Sequence, residues 1–397
     1  MAPDRRILFA NSIYHLTNDA AVTVMAGQIT VLRADLGFGN TETGLLVATA
    51  LLVTLVAQIA FGRVADRRDP SRFLPIGIAY LGAASFLVTG ATSFPVFVAL
   101  VAVSRIGAGF YHPVGISWIG RAYAGRDLDH AMGFQSSFGD MGVILGMGSG
   151  AILGSAVGWQ APFLLWGALN LAAVALGLLL VRGRKSPPPP RSPSRVAYGP
   201  LLRDVRYWIL PIALGGAVFN VVSNFGPVLV RDKFGEPDAT AGVSIALWLL
   251  AGSIAAFYFG RLSARFGRYR TLLVAYFLLT LAGLAAAILP LPFALAALWT
   301  AGSALFVTYP ATFSYVSEAS HIRLQGAAFG VIFGFQLLGG AAAAYAAGVL
   351  AQAFGANPSA PFYLVAALCG AGFVYLLAVR SRVETHGEAI STATPQL

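Results

Sequence analysis

Apolar runs of about twenty residues recur along the whole chain, and no other feature constrains its fold as strongly. In hydrocarbon, every backbone N–H and C=O must be satisfied inside the segment, so such runs are predicted to be helices. The sequence predicts twelve, near 8–32, 42–62, 73–92, 95–120, 131–156, 161–181, 207–230, 240–260, 271–290, 292–316, 324–351 and 361–379. No stretch between them is long and polar enough for a separate soluble domain. Composition agrees: 57% of the 397 residues are apolar and 11% charged, against roughly 45–50% and about 25% in soluble domains. The expected fold class is an all-α membrane protein.

A net charge of +10 would suit a polyanionic partner, but its distribution reports topology instead. If both termini and every even-numbered connection share one side, that side holds all but four of the 26 Lys and Arg. The exceptions are Arg33, Arg231 and Lys233 on the opposite side, and Arg105 inside an apolar segment. This positive-inside pattern predicts a multi-pass protein of the cell (inner) membrane with cytoplasmic termini, surrounded by lipid and with no nucleic-acid partner. The first segment is interrupted by polar residues and has no small-residue cleavage site, so it is predicted to be a retained helix rather than a signal peptide. The single cysteine, Cys369, lies in the last segment, so neither a disulfide framework nor a metal cluster is expected.

The chain repeats itself at an offset of 197–199 residues. Arg33 matches Arg231, Gly62-Arg63 matches Gly260-Arg261, and Pro95 matches Pro292. Further on, Pro113 matches Pro310, Gly133 matches Gly330, Gly142 matches Gly339, and Ala161-Pro162-Phe163 matches Ala360-Pro361-Phe362. Six helices per half is an even number, so the halves share orientation, which is the parallel-repeat plan of transporters built from two six-helix bundles. The expected domains are an N-terminal bundle at 1–181, an extended Pro/Arg-rich linker at 182–206, a C-terminal bundle at 207–380 and a polar tail at 381–397. The linker boundary follows from a proline-rich, arginine-rich stretch that is too polar to span.

Polar groups inside the membrane are expensive and mark function by default. The first segment places Asn11, His15, Asn18 and Asp19 on one face through spacings of three and four. The fourth segment carries Arg105, Gly107, Gly109, Tyr111, His112 and Pro113. By depth, an Asp19–Arg105 contact and a facing His15/His112 pair are both allowed. The alternative for Arg105 is satisfaction by backbone carbonyls, with Pro113 only kinking the helix. The fifth segment holds a ladder, Gly139, Gly142, Gly146 and Gly150, that reads as a close-packing surface, with Gln135 on the same face. Asp140 points away from the ladder and suits either a proton carrier or an ion-pair partner of Arg105. The C-terminal half offers neutral groups at Asn220, Asn224, Tyr309, Gln336 and Tyr345, the first four of them expected at the substrate. Any coupled protons therefore belong to the N-terminal half (Asp19, Asp140, His112, His15), with Asp19 the expected carrier and His15 and His112 lining the pathway. Substrate contact is expected at Arg105, Asn18, Tyr111, Gln135 and the four neutral C-terminal groups.

The connection Gly62-Arg63-Val64-Ala65-Asp66-Arg67-Arg68 and its second copy, Gly260 to Arg268, resemble the loop motif of the major facilitator superfamily. That resemblance implies a twelve-helix, two-bundle fold and a cytoplasmic gate involving Gly62, Asp66, Arg67, Arg265 and Arg268. A closer resemblance rests on His15-Leu16-Thr17-Asn18-Asp19, Phe110-Tyr111-His112-Pro113 and Phe134-Gln135. These runs look like the fosmidomycin-resistance branch, which implies an inner-membrane exporter exchanging a small, often anionic or amphiphilic compound for protons. Where the branch usually has a Gly-Pro pair in the fifth helix, this chain has Gly146-Met147.

No metal-ligand spacing, phosphate-cradling loop or nucleotide motif points to an enzyme or a primary pump, and no cofactor is expected. The leading expectation is a monomeric, proton-coupled secondary transporter that exports a small organic molecule. An uptake symporter or facilitator for a metabolite, and a non-transporting sensor on a transporter fold, are the alternatives.

Overall fold

The computed structural model describes residues 4–65, 68–123, 125–183, 198–320 and 325–393, and no strand occurs among them. In chain order the helices begin with α1 (Arg5–Gly27), α2 (Ile29–Leu36), α3 (Asn40–Ala65), α4 (Pro70–Val88), α5 (Phe94–Ala108), α6 (Tyr111–Ala122), α7 (Gly125–Ala156) and α8 (Gln160–Leu180). They continue with α9 (Tyr198–Val228), α10 (Asp238–Phe257), α11 (Phe259–Phe266), α12 (Arg268–Ile288), α13 (Leu291–Ala319), α14 (Gln325–Ala353) and α15 (Ala360–Ala393). A π-helical turn, Leu229–Lys233, extends α9.

Among the described residues, eleven helical stretches are long and apolar enough to cross a membrane. α1 falls short only in hydropathy, because Asn11, His15, Asn18 and Asp19 interrupt it. Its 23 residues still reach about 35 Å, a full bilayer crossing. The outward faces are apolar, with Val56, Leu87, Leu179, Phe257 and Val374 each more than half exposed. Water would penalise such a surface, whereas lipid covers it at no cost.

The described residues form two compact units. The first comprises the chain up to Gly183 together with Gly226–Leu247; the second comprises 198–225 and the chain from Trp248 onward. Residues 184–197 of the expected linker lie outside the described residues. α9 takes in the final residues of that stretch, starting at Tyr198 with Pro200 in its first turn, where a missing N–H costs nothing.

Within the first unit, α1 and α7 approach backbone to backbone. A Cβ added at Gly142, Gly146 or Gly150 would collide with the carbonyl oxygens of Leu16, Ala20 and Val24 respectively, and one at Gly27 with that of Met147. The glycine ladder is thus a packing surface, and removing side chains is what lets dispersion contacts replace the hydrophobic driving force that lipid cannot provide. The second unit repeats the device: a Cβ at Gly339 would strike the Ala213 carbonyl, and one at Gly216 the Gln336 carbonyl. The Gly339–Ala213 contact repeats Gly142–Leu16 in the 197-residue register of the sequence repeat.

The segment around Arg105 is not one helix. α5 stops at Ala108, Gly109 and Phe110 form a turn, and α6 starts at Tyr111. Pro113 cannot donate to the Gly109 carbonyl, and the Phe110 N–H bonds instead to Gly107 O at 3.1 Å. The Phe110 ring fills a notch over Gly77 and lies 3.6 Å, centroid to centroid, from Phe61. α13 runs unbroken through the matching Pro310. There the positions of Gly107 and Gly109 are held by Ala304 and Phe306, so the proline alone does not interrupt the helix.

Candidate functional site

The polar face of α1 meets the start of α6 and the first turns of α7 inside the first unit. The His15 Nδ1–H donates to the Gln135 carbonyl at 2.8 Å, and its Nε2 faces Asp19 Oδ2 at 3.1 Å. The other Asp19 oxygen accepts from Asn18 Nδ2 at 2.8 Å. The Tyr111 ring stacks on the imidazole with centroids 4.1 Å apart and planes 17° from parallel. The Tyr111 hydroxyl lies 2.7 Å from Asn11 Oδ1 and 2.8 Å from Gln135 Oε1; its single proton serves one of them at a time. Asn11 Nδ2 donates to the Gly115 carbonyl at 2.9 Å. His112 sets its ring edge-on to His15 at 5.6 Å. His15, Asn18, Asp19, Tyr111, His112 and Gln135 are therefore one connected cluster.

Two features of the fold create it. At Gly109–Phe110, where both residues keep αR dihedrals, the regular hydrogen-bond pattern is interrupted just before Tyr111 and His112, whose rings meet His15 of α1. Gly139 leaves the space that the His15 imidazole occupies, since a Cβ there would overlap the ring.

Arg105 is 6% exposed and stays just outside the cluster. Its Nη2 donates to the Val22 carbonyl at 2.7 Å, and its Nε is buried without a partner among the described residues. The Asp19–Arg105 contact that depth allows does not form: His15 and Asn18 already occupy the Asp19 carboxylate, and the guanidinium settles, as in the alternative, on a backbone carbonyl, three residues further along α1. The ion pair between Arg105 and Asp140 is likewise not made. Asp140 is exposed on α7, within electrostatic reach of Asp19 and His15.

In the second unit, the Tyr309 hydroxyl donates to the Gly215 carbonyl at 3.1 Å and lies against the Gln336 side chain. Asn220 Nδ2 donates to Gly216 O at 3.0 Å and crowds Gly340. Asn224 Nδ2 bonds back to Asn220 O at 2.9 Å, leaving its Oδ1 buried and unpaired among the described residues. These four groups are neutral.

Of the residues expected at a gate, Asp66 and Arg67 lie outside the described residues. Gly62 faces the Pro113 ring, with room for a Cβ 3.6 Å from Pro113 Cβ. Arg265 ends α11 over the Phe266 ring at 5.2 Å. Arg268 Nη1 bonds Glu318 Oε2 at 2.6 Å and stacks over Tyr315 at 5.0 Å.

Several partners escape a reading of the sequence alone. Asn11 carried a visible signal, one turn before His15. Glu318 carried none, because it comes from the far end of α13. The His15–Asp19–His112 trio, whose ligating atoms lie within 4.8 Å of one another, has no metal-ligand spacing in sequence; its third member comes from the first turn of α6.

The decisive comparison is with the family model of the Major Facilitator Superfamily, which matches residues 8–344. The chain belongs to the major facilitator superfamily. Its fold is shared with a bacterial homologue of the human lysosomal transporter Spinster, solved inward-facing and occupied (TM-score 0.78, 17% identity, 99% of this chain and 98% of that one). It is also shared with the nucleoside transporter NupG (TM-score 0.76, 13% identity, 96% of this chain and 99% of that one). In sequence it is 25% identical over 155 residues to the quinolone resistance protein NorA of Staphylococcus aureus, covering 39% of this chain and 40% of that protein. A probable L-galactonate transporter of Escherichia coli (strain K12) is 25% identical over 154 residues, covering 39% and 34%. The match thus spans well under half the length of either relative. Superfamily membership and a multi-pass helical fold are what these likenesses establish.

Proposed function

We propose that this superfamily member is a proton-coupled exporter of a small organic anion, working by alternating access in the cell (inner) membrane with cytoplasmic termini. The observation that carries the reading is Arg105. It places a guanidinium in the membrane interior with one neutral carbonyl as acceptor and no carboxylate beside it among the described residues. A charge at that depth costs a few kcal/mol, and a carbonyl satisfies a donor without neutralising it. An anionic substrate supplies the missing counter-charge, and Asn18, Tyr111, Gln135 and the neutral groups Asn220, Asn224, Tyr309 and Gln336 supply hydrogen bonds.

Asp140 is the group assigned to the proton. It is an exposed carboxylate without a salt bridge among the described residues, and the charged groups within its reach are Asp19 and His15 of α1. Export rather than uptake is supported by the resemblance of the His15–Asp19 and Phe110–Pro113 runs to the fosmidomycin-resistance branch, and by the likeness to a resistance protein, NorA. The basic loops, Arg265 and Arg268 among them, hold the orientation, and Gly62, Asp66 and Arg67 belong to the gate.

Inverted vesicles with an acidic lumen test both direction and coupling. Adding candidate organic anions to vesicles carrying the protein is expected to release lumenal protons. Substrate movement without proton release would replace this reading with facilitated transport or uptake.

A further inference from the structure

We propose that His15, Asp19 and His112 together form a binding site for a divalent transition-metal cation of the zinc type. All three belong to the first unit, so the site does not depend on how the transport cycle arranges the rest of the chain. It is also independent of transport direction.

The geometry is close to what such an ion requires. The three ligating atoms lie within 4.8 Å of one another. Zinc holds nitrogen and carboxylate oxygen at about 2.0–2.2 Å, which in a tetrahedron sets ligands about 3.4 Å apart. His15 Nε2 and Asp19 Oδ2, at 3.1 Å, already meet that spacing. The third ligand, His112, lies within 4.8 Å of both, so a tetrahedral site asks it to close by at most about 1.4 Å.

The donor set selects the class of ion. Two imidazole nitrogens with one carboxylate oxygen suit Zn²⁺, Co²⁺ and Ni²⁺; Mg²⁺ and Ca²⁺ prefer oxygen alone, and Cu⁺ prefers sulfur. Three protein ligands leave a fourth position open, as in zinc sites that exchange a water or bind an incoming oxygen.

The surroundings are those of a built site. Ligating histidines ordinarily donate their second ring N–H to a carbonyl or carboxylate, which fixes the tautomer and aims the free nitrogen. His15 does so through Nδ1 to Gln135 O, leaving Nε2 pointed at Asp19. Asn18 occupies Asp19 Oδ1 and leaves Oδ2 for the ion. Tyr111 holds the imidazole plane by stacking on it, and its hydroxyl is itself anchored on Asn11 and Gln135.

Cobalt is the probe, because a four-coordinate Co²⁺ site absorbs strongly in the visible and an aqueous ion does not. Full-length protein without a histidine tag, in detergent or nanodiscs, is titrated with CoCl₂ and then with ZnCl₂. The expected result is one intense Co²⁺ band set per chain that Zn²⁺ abolishes. His112→Ala and Asp19→Asn should each weaken Co²⁺ binding tenfold or more, while His130→Ala, an exposed histidine on α7 away from the trio, should not change it. The melting temperature of each variant without metal verifies that the fold survives; Asp19→Asn preserves shape and hydrogen bonding and is the safer of the two. No visible band, or equal Co²⁺ affinity in wild type, His112→Ala and Asp19→Asn, would overturn the site and leave His15–Asp19 as a structural ion pair.

Discussion

The His15 imidazole occupies the space that a side chain at Gly139 would need. The same ladder that lets α7 lie against α1 therefore also opens the pocket for its central polar ring. Gly139→Ala is expected to displace His15 and break its bond to the Gln135 carbonyl. Overpacking of this kind costs about 1–3 kcal/mol. Thermal unfolding should show that modest loss while transport falls steeply; unchanged transport would separate the ring's position from function.

Further down the ladder, the obstacle at Gly142 is backbone rather than side chain. A Cβ there meets the Leu16 carbonyl, which cannot rotate away, so Gly142→Val must push α1 off α7. Aggregation on extraction or a large fall in melting temperature is expected. Gly133→Val, on the same helix with no atom near its Cβ position, should melt like the wild type.

Arg105→Ala removes the cation proposed to meet the substrate and leaves the Val22 carbonyl without its donor. KM for an anionic substrate should rise tenfold or more, since a hydrogen bond to a charged group contributes about 1.5–3 kcal/mol. Arg105→Lys keeps the charge but not the fork of donors and should recover part of the affinity. A purely structural arginine would instead lower melting temperature equally for both variants and leave KM alone.

Asp140→Asn mimics the protonated carboxyl permanently. Exchange of substrate down its own gradient should continue, while accumulation driven by a pH gradient should stop. Vesicles in which the variant still concentrates substrate against a gradient would remove Asp140 from the coupling step.

Glu318→Gln cuts the Arg268 ion pair, whose carboxylate is 60% exposed. An exposed pair contributes at most about 1 kcal/mol to stability, so melting should barely move. If Arg268 belongs to a gate, the transport rate should change several-fold at constant stability. A melting shift without a rate change would make the pair structural.

The fold was largely legible in the sequence because a bilayer acts on each segment separately. Twenty apolar residues in a row must be helical wherever they occur, and the repeat register that aligned Gly142 with Gly339 reappears as matched contacts to Leu16 and Ala213. The grouping of Asn11, His15, Asn18 and Asp19 was legible for the same reason, since helix geometry alone puts them on one face.

Partner choice was not. Depth alone allowed Arg105 to reach the Asp19 carboxylate and paired His15 with His112, and only the packing of α5 against α1 sends the arginine to Val22 O. A proline at 113 announces a perturbed helix, yet its match at 310 sits in an unbroken one. The difference lies in what packs around Gly107, Gly109 and Phe110. The chain by itself therefore determined a helical, twice-repeated membrane protein with a polar first helix, because those properties depend on neighbours a few residues away. The tertiary structure alone decided that His15 would lie between Asp19, Tyr111 and His112, because that arrangement needs the close approach permitted at Gly139 and the packing of α6 against α1, which bring together residues a hundred positions apart.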